Sequence, residues 1–298
     1  MIDVVIVRSN SIVYDTPRVR KIGMSLAKRN SVLVLGWNRE KRQIETISSN
    51  NFRIELFGLK APLSKASIVA YLPLFWMWIF VNLCRYKPIA VHSCDLDTVL
   101  PCLLYKTIFR KKLVFDVCDR YAMAYISPKL KTIYSIVNRL EEKCVTKADV
   151  LVTVSEKMLL SFKAKPEHVT VIMNCGDYEN HRIDSRKKIN SQRESFRVLY
   201  IGKIVRDRGL EEISKAINGL NKVELIIAGT EVDKELLEDL VKLPKIRYNG
   251  LLKYQETIDL IYNSDVLISL YDPKVPNNRF SYSNKLFEAM MCGLPIIT

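Results

Sequence analysis

The sequence predicts an α/β protein with two domains, each built around a parallel sheet. Short apolar runs alternate with helical periods along the whole chain, which is typical of repeated βα units. A chain of 298 residues also exceeds what one hydrophobic core usually serves. A polar and charged stretch interrupts the series, so we predict an N-terminal domain over 1–180, a linker over 181–195 and a C-terminal domain over 196–298.

The first half begins with a predicted strand at Ile2–Val7 and a helix from Pro17 to about Arg29, because proline suits the first turn of a helix. Val32–Leu35 predicts the second strand, so a right-handed βαβ unit is expected. Later strands are predicted at Ala90–His92, Leu113–Asp116, Asp149–Val154 and Val169–Met173.

The second half repeats this pattern. Gly229 and Gly250 end two of its strands, and we expect a ligand to approach the backbone there. Strands are predicted near 197–201, 223–228, 246–249 and 265–270, with helices at about 209–220, 232–242 and 253–263.

Composition indicates an ordinary globular protein with an uneven charge. Apolar residues make up 48% and charged residues 26%, and the seven cysteines show no metal-like spacing, which predicts reduced thiols in the cytoplasm. Residues 196–298 balance 14 basic against 14 acidic side chains, so the first 195 residues carry the whole net charge of +14. The sequence contains no nucleic-acid-binding motif beside this charge, so we expect no nucleic acid and favour an anionic membrane surface as the partner.

Nineteen residues without a charge run from Ala66 to Cys84 and include Trp76 and Trp78. Three interpretations remain open. The segment is a buried helix of the domain, a helix lying in a membrane interface with its aromatic side chains against lipid, or a membrane span that Pro73 interrupts.

The stretch from Ser281 to Gly293 predicts a helix that suits a nucleotide. Asn284 is expected to cap the helix, Lys285 to lie in its first turn and Glu288 one turn further along. A helix N-terminus with a lysine favours an anion, and a carboxylate can accept hydrogen bonds from the hydroxyls of a ribose.

A second stretch indicates the same ligand. The strand that ends at Gly202 is followed by Lys203, then by Arg208, and then by a helix. A glycine, two cations and a helix start after a buried strand are typical of a loop that binds phosphate.

Together these motifs resemble the GT-B glycosyltransferases of family 4. Gly202-Lys203 and Arg208-Gly209 resemble the family's phosphate loop, and the run from Glu288 to Pro295 resembles its Glu-Ala-Met-Ala-x-Gly-x-Pro signature. The likeness covers nearly the whole chain. It implies two facing Rossmann-like domains, the second incomplete at its C-terminus because family members usually continue further.

The resemblance also implies a reaction. A glycosyl group would pass from a nucleotide-diphosphate sugar to a saccharide or lipid-linked acceptor, with retention and without a metal, in polysaccharide biosynthesis at the inner face of the membrane. Lys203 and Arg208 would be the catalytic cations that neutralise the leaving diphosphate, and Gly202, Asn284, Lys285 and Glu288 would complete the donor site. No cofactor is expected, since the sequence lacks the glycine fingerprint of a dinucleotide site.

Four residues of the first half are candidates for the acceptor site or the cleft between the domains: Asp15, Arg18, His92 and Asp119. Asp15 and Arg18 have an equally simple interpretation as a helix cap and an ion pair, and His92 as a packed core histidine. Asp119 ends a motif in which the family usually has a histidine where this chain has Cys118.

A competing hypothesis is a catalytically inactive module that binds a membrane surface or a protein partner on the same scaffold. Phe280 at the position of the signature's first glutamate, together with Cys94 and Cys118, favours it. A nucleotide-sugar epimerase is disfavoured here, on the expectation that it would need the glycine fingerprint.

Overall fold

The computed structural model describes residues 2–9, 17–39, 51–62, 67–127, 129–175, 194–280 and 282–298. The chain divides into two compact units, Met1–Met173 and Asn174–Thr298, referred to below as unit 1 and unit 2. Of the predicted linker over 181–195, only the last two residues are described.

Unit 1 is built on a parallel sheet of seven strands in the order β3-β2-β1-β4-β5-β6-β7. Its central strands are apolar and almost fully buried, as expected for a parallel sheet covered on both faces. The strands are β1 Val4–Val7, β2 Val32–Trp37, β3 Phe52–Phe57, β4 Ala90–Cys94, β5 Lys112–Val117, β6 Val150–Thr153 and β7 His168–Val171. The sequence-based prediction missed β3, whose charged residues Arg53 and Glu55 interrupt an otherwise apolar strand.

The helices of unit 1 cover the sheet from two sides, because successive crossovers are right-handed. Helix α1 packs its apolar side on β1 and β2, while the crossovers that run the other way along the sheet place α2, α3 and α5 side by side on the opposite face. Helix α3 packs between α2 and α5. The helices are α1 Pro17–Ala27, α2 Leu72–Tyr86, α3 Leu96–Phe109, α4 Tyr121–Tyr125, α5 Lys131–Lys147 and α6 Glu156–Leu160.

The uncharged segment forms a short 3₁₀ turn at Ser67–Tyr71 followed by α2, with Pro73 in its first turn. By length and composition, the described part of the chain has one helix apolar enough to cross a membrane, Ile68–Tyr86. The strands before and after this helix, β3 and β4, lie in one sheet. The side chains of Phe75 and Ile79 are fully buried in unit 1. This arrangement favours the first interpretation, a helix of the domain.

The two tryptophans of α2 are held inside unit 1. Trp76 donates a hydrogen bond from Nε1 to the carbonyl oxygen of Asp97 at 2.7 Å, and Trp78 packs on Phe75 and Phe57 with ring centroids 6.0 and 5.5 Å apart. These contacts within unit 1 disfavour the interpretation in which the two tryptophans lie against lipid. The exposed apolar side chains of α2 are Leu74, Met77 and Val81 instead.

Unit 2 is built on a parallel sheet of five strands in the order β10-β9-β8-β11-β12. Helices α7 and α8 pack on one face and α9 and α10 on the other, each with its own apolar cluster. The elements are β8 Phe196–Ile201, α7 Leu210–Asn218, β9 Val223–Ala228, α8 Lys234–Val241, β10 Ile246–Tyr248, α9 Tyr254–Tyr262, β11 Val266–Ile268, α10 Asn284–Cys292 and β12 Ile296–Ile297.

We predict that Phe75→Ala lowers the free energy of unfolding of unit 1 by about 3–5 kcal/mol, because it empties a fully buried site. Phe75 stacks on Trp37 with ring centroids 4.8 Å apart. All three tryptophans of the chain lie in unit 1, so tryptophan fluorescence during urea unfolding follows this unit alone. Met77→Ala on the same helix, at a side chain that is 60% exposed, is the control and should change little. Equal losses for the two variants would contradict this packing of α2.

Candidate functional site

The order of the strands in unit 2 reverses beside β8. The chain moves from β8 to β9 and β10 on one side and then crosses to β11 on the other. In open parallel sheets, the loops that leave the carboxyl ends of strands at such a reversal diverge, and ligands bind in the crevice between them. The Gly202–Gly209 loop follows β8, and Ser269–Asp272 follows β11, so this edge is the candidate ligand site of unit 2.

The Gly202 loop lies directly against Gly229. A Cβ atom added to Gly229 would come 2.0 Å from the carbonyl oxygen of Gly202, and Gly229 has φ +135°. The backbone of this chain, not a ligand, therefore approaches Gly229. At Gly250 (φ +74°) the space around an added Cβ is open, so the sequence-based expectation of an approach to the backbone stays a prediction there.

Arg208 lies in this loop with part of its guanidinium unsatisfied. Its Cζ lies 3.8 Å from the centroid of the Tyr271 ring, which fixes the side chain by a cation–π contact. Atom Nη1 is buried and has no hydrogen-bond partner among the described residues, and the nearest carboxylate oxygen recorded, on Asp207, is 3.9 Å from Nε. A buried guanidinium nitrogen without an acceptor suits an anionic ligand.

Lys203 precedes Arg208 in the same loop. Its side chain is exposed, and its carbonyl oxygen accepts a hydrogen bond of 2.6 Å from the Tyr200 hydroxyl. Because Tyr200 is buried at 3% exposure, this bond fixes the backbone from which the Lys203 ammonium extends into solvent.

The start of α7 is a poor place for an anion, although the sequence suggested a phosphate near it. Glu211 and Glu212 occupy its first turn, and carboxylates there already interact with the positive end of the helix dipole. Arg206 makes exposed ion pairs with Glu211, Asp233 and Glu235. The structure therefore favours Arg208 and Lys203 as the phosphate-binding cations of this loop. It disfavours Arg206, which is already ion-paired, and the N-terminus of α7.

Helix α10 begins beside β11, and a serine caps it. The Ser283 hydroxyl accepts a hydrogen bond from the Lys285 N–H at 3.2 Å and pairs with the Ser269 hydroxyl at 2.8 Å, which ties the helix start to the end of β11. The expectation that Asn284 caps the helix is wrong by one residue. Asn284 is the first helical residue, and its side chain is exposed.

Lys285 and Glu288 form an ion pair on α10. The Lys285 Nζ lies 2.6 Å from a Glu288 carboxylate oxygen, and the Glu288 side chain is 7% exposed. The pair brings together the two residues expected to hold phosphate and ribose. The two charges neutralise each other.

Two candidates of unit 1, Arg18 and His92, lie in a buried ionic network at the carboxyl ends of β4 and β5. Asp116 accepts hydrogen bonds from the Arg18 Nε and Nη2 atoms at 2.9 and 2.7 Å and lies 3.0 Å from His92 Nε2. Burial alone would raise the pKa of Asp116, but the hydrogen bonds and charges of His92 and Arg18 outweigh it and lower the pKa to about 2. For Arg18 and His92, the ion-pair and core interpretations describe what the structure shows.

A second pair lies next to this network. Arg8 at the end of β1 contacts the Asp95 carboxylate at 2.6 Å, and Ser9 donates a hydrogen bond to Asp97. Asp95 also accepts a hydrogen bond of 2.8 Å from the Cys118 N–H. It precedes α3 at the N-cap position but makes no side-chain cap bond there.

A metal site at this edge is disfavoured by its chemistry. The ligand atoms of His92, Cys94 and Asp116 lie within 4.8 Å of one another. Both oxygens of Asp116 already accept hydrogen bonds from the Arg18 guanidinium, and that positive charge opposes a cation. Of the remaining candidates, Asp15 lies outside the described residues, and Asp119 is half-buried just after β5.

The comparisons with known proteins agree with this geometry. A family model described as "Glycosyl transferases group 1" matches residues 195–298, which covers the candidate site of unit 2. Sucrose-phosphate synthase from Thermosynechococcus elongatus has a TM-score of 0.76 and 15% identity, over 99% of this chain and 80% of that one. The fold is GT-B. HepE from Anabaena, solved with UDP and glucose, has a TM-score of 0.70 and 14% identity over the same shares of the two chains.

The GT-B fold also extends to another enzyme class. UDP-N-acetylglucosamine 2-epimerase from Rickettsia bellii has a TM-score of 0.62 and 14% identity, over 100% of this chain and 79% of that one. The sequence-based reason for setting an epimerase aside, the missing glycine fingerprint, stays a prediction. No curated protein matches the sequence significantly.

Sequence reasoning did not find Tyr271, Ser269 or Ser283. Tyr271 is separated from Arg208 by three strands and three helices, and no local motif connects the two residues. Ser283 is a strong helix-cap residue next to Asn284, which is equally suitable, so the choice between them depends on the hydrogen bond to Ser269.

We predict that Gly229→Ala displaces the Gly202 loop, because the new Cβ meets backbone that cannot rotate away. The free energy of unfolding of unit 2 should fall by about 1–3 kcal/mol from overpacking and the positive φ. Gly219→Ala is the control, since its φ is −78° and its nearest neighbour would lie at 3.6 Å. Thermal unfolding followed by circular dichroism compares the two. A Gly229→Ala variant as stable as Gly219→Ala would show that the two loops do not touch.

We predict that Asp116→Asn lowers the free energy of unfolding of unit 1 by about 3–5 kcal/mol at neutral pH, because Arg18 loses its buried counter-charge. The pKa of Asp116 is lower in the folded state, so its contribution is complete above about pH 4 and is lost as the pH falls towards 2. The difference between wild type and variant in urea unfolding, read from tryptophan fluorescence, should therefore shrink over that range. A difference independent of pH would contradict the ionised pairing.

Proposed function

We propose that this protein transfers a glycosyl group from a nucleotide-diphosphate sugar, bound at unit 2, to an acceptor. The observation that carries the proposal is the Arg208 guanidinium, fixed on Tyr271 with a buried nitrogen unpaired at the strand-order reversal of a GT-B fold. The match of residues 195–298 to a glycosyl transferase family model supports it.

In this proposal, Arg208 and Lys203 bind the diphosphate and neutralise the charge that develops as the sugar departs, which is the main electrostatic demand of the reaction. Lys285 and the first N–H groups of α10 assist. The Glu288 carboxylate accepts hydrogen bonds from the ribose once the ligand draws Lys285 away. Gly202 lets the loop backbone lie against Gly229 and so fixes where Lys203 extends.

We propose a uridine nucleotide as the donor, because the structurally similar HepE was solved in complex with UDP and glucose and with UDP-glucose. Retention at the anomeric carbon without a metal, as in family 4, is part of the same proposal and rests on the resemblance of the motifs. A saccharide or lipid-linked acceptor of a polysaccharide pathway, bound by unit 1 in the cytoplasm, completes it.

A second candidate is a nucleotide-sugar epimerase, which the fold similarity to UDP-N-acetylglucosamine 2-epimerases favours. The two reactions differ in their products. A transferase passes the sugar to an acceptor or to water, and the nucleoside diphosphate is released. An epimerase inverts one carbon of the sugar, and the nucleotide sugar remains intact.

The test is a panel of UDP-sugars incubated with the protein and resolved by chromatography and mass spectrometry. Release of UDP with formation of a glycosylated product or free sugar supports transfer. An epimerised UDP-sugar without UDP release supports the second candidate. A protein whose thermal unfolding no nucleotide sugar shifts would be the inactive module instead.

We predict that Arg208→Ala and Lys203→Ala each lower turnover by about 100-fold or more, since each removes a charge-assisted contact to the leaving group. Arg206→Ala is the matched control. It removes the same charge from the same 3₁₀ turn as Arg208, but Arg206 is about half exposed and ion-paired with carboxylates, so turnover should fall less than about threefold. Initial rates of UDP release measure all three. Equal rates for Arg208→Ala and wild type would remove Arg208 from the site.

A further inference from the structure

The helix layer formed by α2, α3 and α5 presents an apolar outer surface. Large aliphatic side chains on the outward sides of these neighbouring helices are between 37 and 60% exposed: Met77, Val81, Leu104, Ile108, Ile136 and Leu140. Single exposed aliphatic residues are common on soluble proteins, but a set spread over three packed helices indicates a surface with a partner.

The same surface has cations and no exposed carboxylate. Every residue of the three helices is described, and their three acids all point inward. Asp97 accepts a hydrogen bond from Ser9, and Glu141 and Glu142 pair with the buried Arg120. The exposed basic residues on these helices and the turns that end them are Arg85, Lys87, Arg110, Lys131, Arg139, Lys143 and Lys147.

Most of these cations lie at one edge, while Lys131 begins α5 and Arg139 lies in its middle. The helices α2, α3 and α5 all return from the carboxyl ends of strands to the amino ends of the next ones, so their C-termini lie together at the edge opposite to the ionic network of unit 1. Lys87 and Arg110 end α2 and α3 in left-handed backbone conformations, with φ of 49° and 51°. Glycine would adopt these conformations at lower cost, so the two cations are held there at the expense of stability.

We propose that this helix-layer surface binds anionic lipid bilayers, with Met77, Val81, Leu104 and Ile108 in the headgroup region and the basic edge on the lipid phosphates. Its charge is complementary to such a membrane. Aliphatic side chains suit the interface of a bilayer, whereas a nucleic acid would call for aromatic side chains that stack on bases. The proposal concerns a surface distinct from the candidate site of unit 2.

The first test uses glycine at the two left-handed positions. Lys87→Gly with Arg110→Gly removes two cations while relieving backbone strain, so the variant should fold at least as well as wild type. We expect the wild-type protein to sediment with vesicles of phosphatidylglycerol and phosphatidylcholine but not with phosphatidylcholine alone, and less at high salt. The double variant should bind about tenfold or more weakly, since each cation near an anionic surface contributes roughly fivefold.

The matched control is Lys222→Gly. Lys222 is an exposed lysine in the same backbone conformation, with φ of 54°, but it lies in unit 2. This variant tests whether vesicle binding weakens when any cation is removed, or when backbone strain is relieved at any left-handed residue. Binding by Lys222→Gly should equal that of wild type. An equal loss in both would show that net charge alone drives the association and would overturn the assignment to this surface.

The second test addresses the apolar part. Met77→Ser with Ile108→Ser should weaken the binding that persists at high salt, and Leu251→Ser, at a residue of unit 2 that is 66% exposed, should not.

If the wild-type protein does not bind anionic vesicles at low salt, the proposal is wrong. If it also sediments as a dimer that Met77→Ser with Ile108→Ser dissociates, a second copy covers the surface. UDP titration of every variant reads the unit 2 site separately, so neither outcome bears on sugar transfer.

Discussion

Reversal of strand order is the constraint on which both units depend. In each sheet the first strand of the unit lies inside, the second and third strands extend to one side, and the fourth crosses to the other. Because every crossover is right-handed, helices must cover both faces, and the loops after the two central strands must diverge. Each unit thus acquires a crevice at one sheet edge before any particular side chain is considered.

The two units fill this crevice differently. In unit 1 the chain supplies both signs of charge, since Arg8 pairs with Asp95 and Arg18 with Asp116. In unit 2 the corresponding edge holds Arg208, whose buried Nη1 has no acceptor among the described residues. In the proposed function, this partly unsatisfied guanidinium is the reason for placing the anionic ligand at unit 2.

The sequence predicted the repeated βα units, because these are encoded locally by periodicity, glycine placement and capping residues, and the resemblance of its motifs predicted the GT-B fold. It could not predict the contacts between distant parts of the chain. The stacking of Arg208 on Tyr271 and the close approach of Gly202 to Gly229 depend on the register of neighbouring strands. Trp76 and Trp78 show the same limit, since helical periodicity does not tell which side of a uniformly apolar helix meets the sheet and which remains outside.

The ion pair of Lys285 and Glu288 makes recognition conditional in the proposed site. Lys285 and Glu288 pair with each other at 2.6 Å. A ligand that has only a phosphate would draw Lys285 away and leave the buried Glu288 carboxylate unpaired. A ligand that has only a ribose would have to compete with Lys285 for the Glu288 carboxylate. A ligand with both groups releases and rematches both charges in one step. In the proposed site, the binding free energies of a nucleoside and of a free diphosphate should therefore add up to much less than the binding free energy of the whole nucleotide.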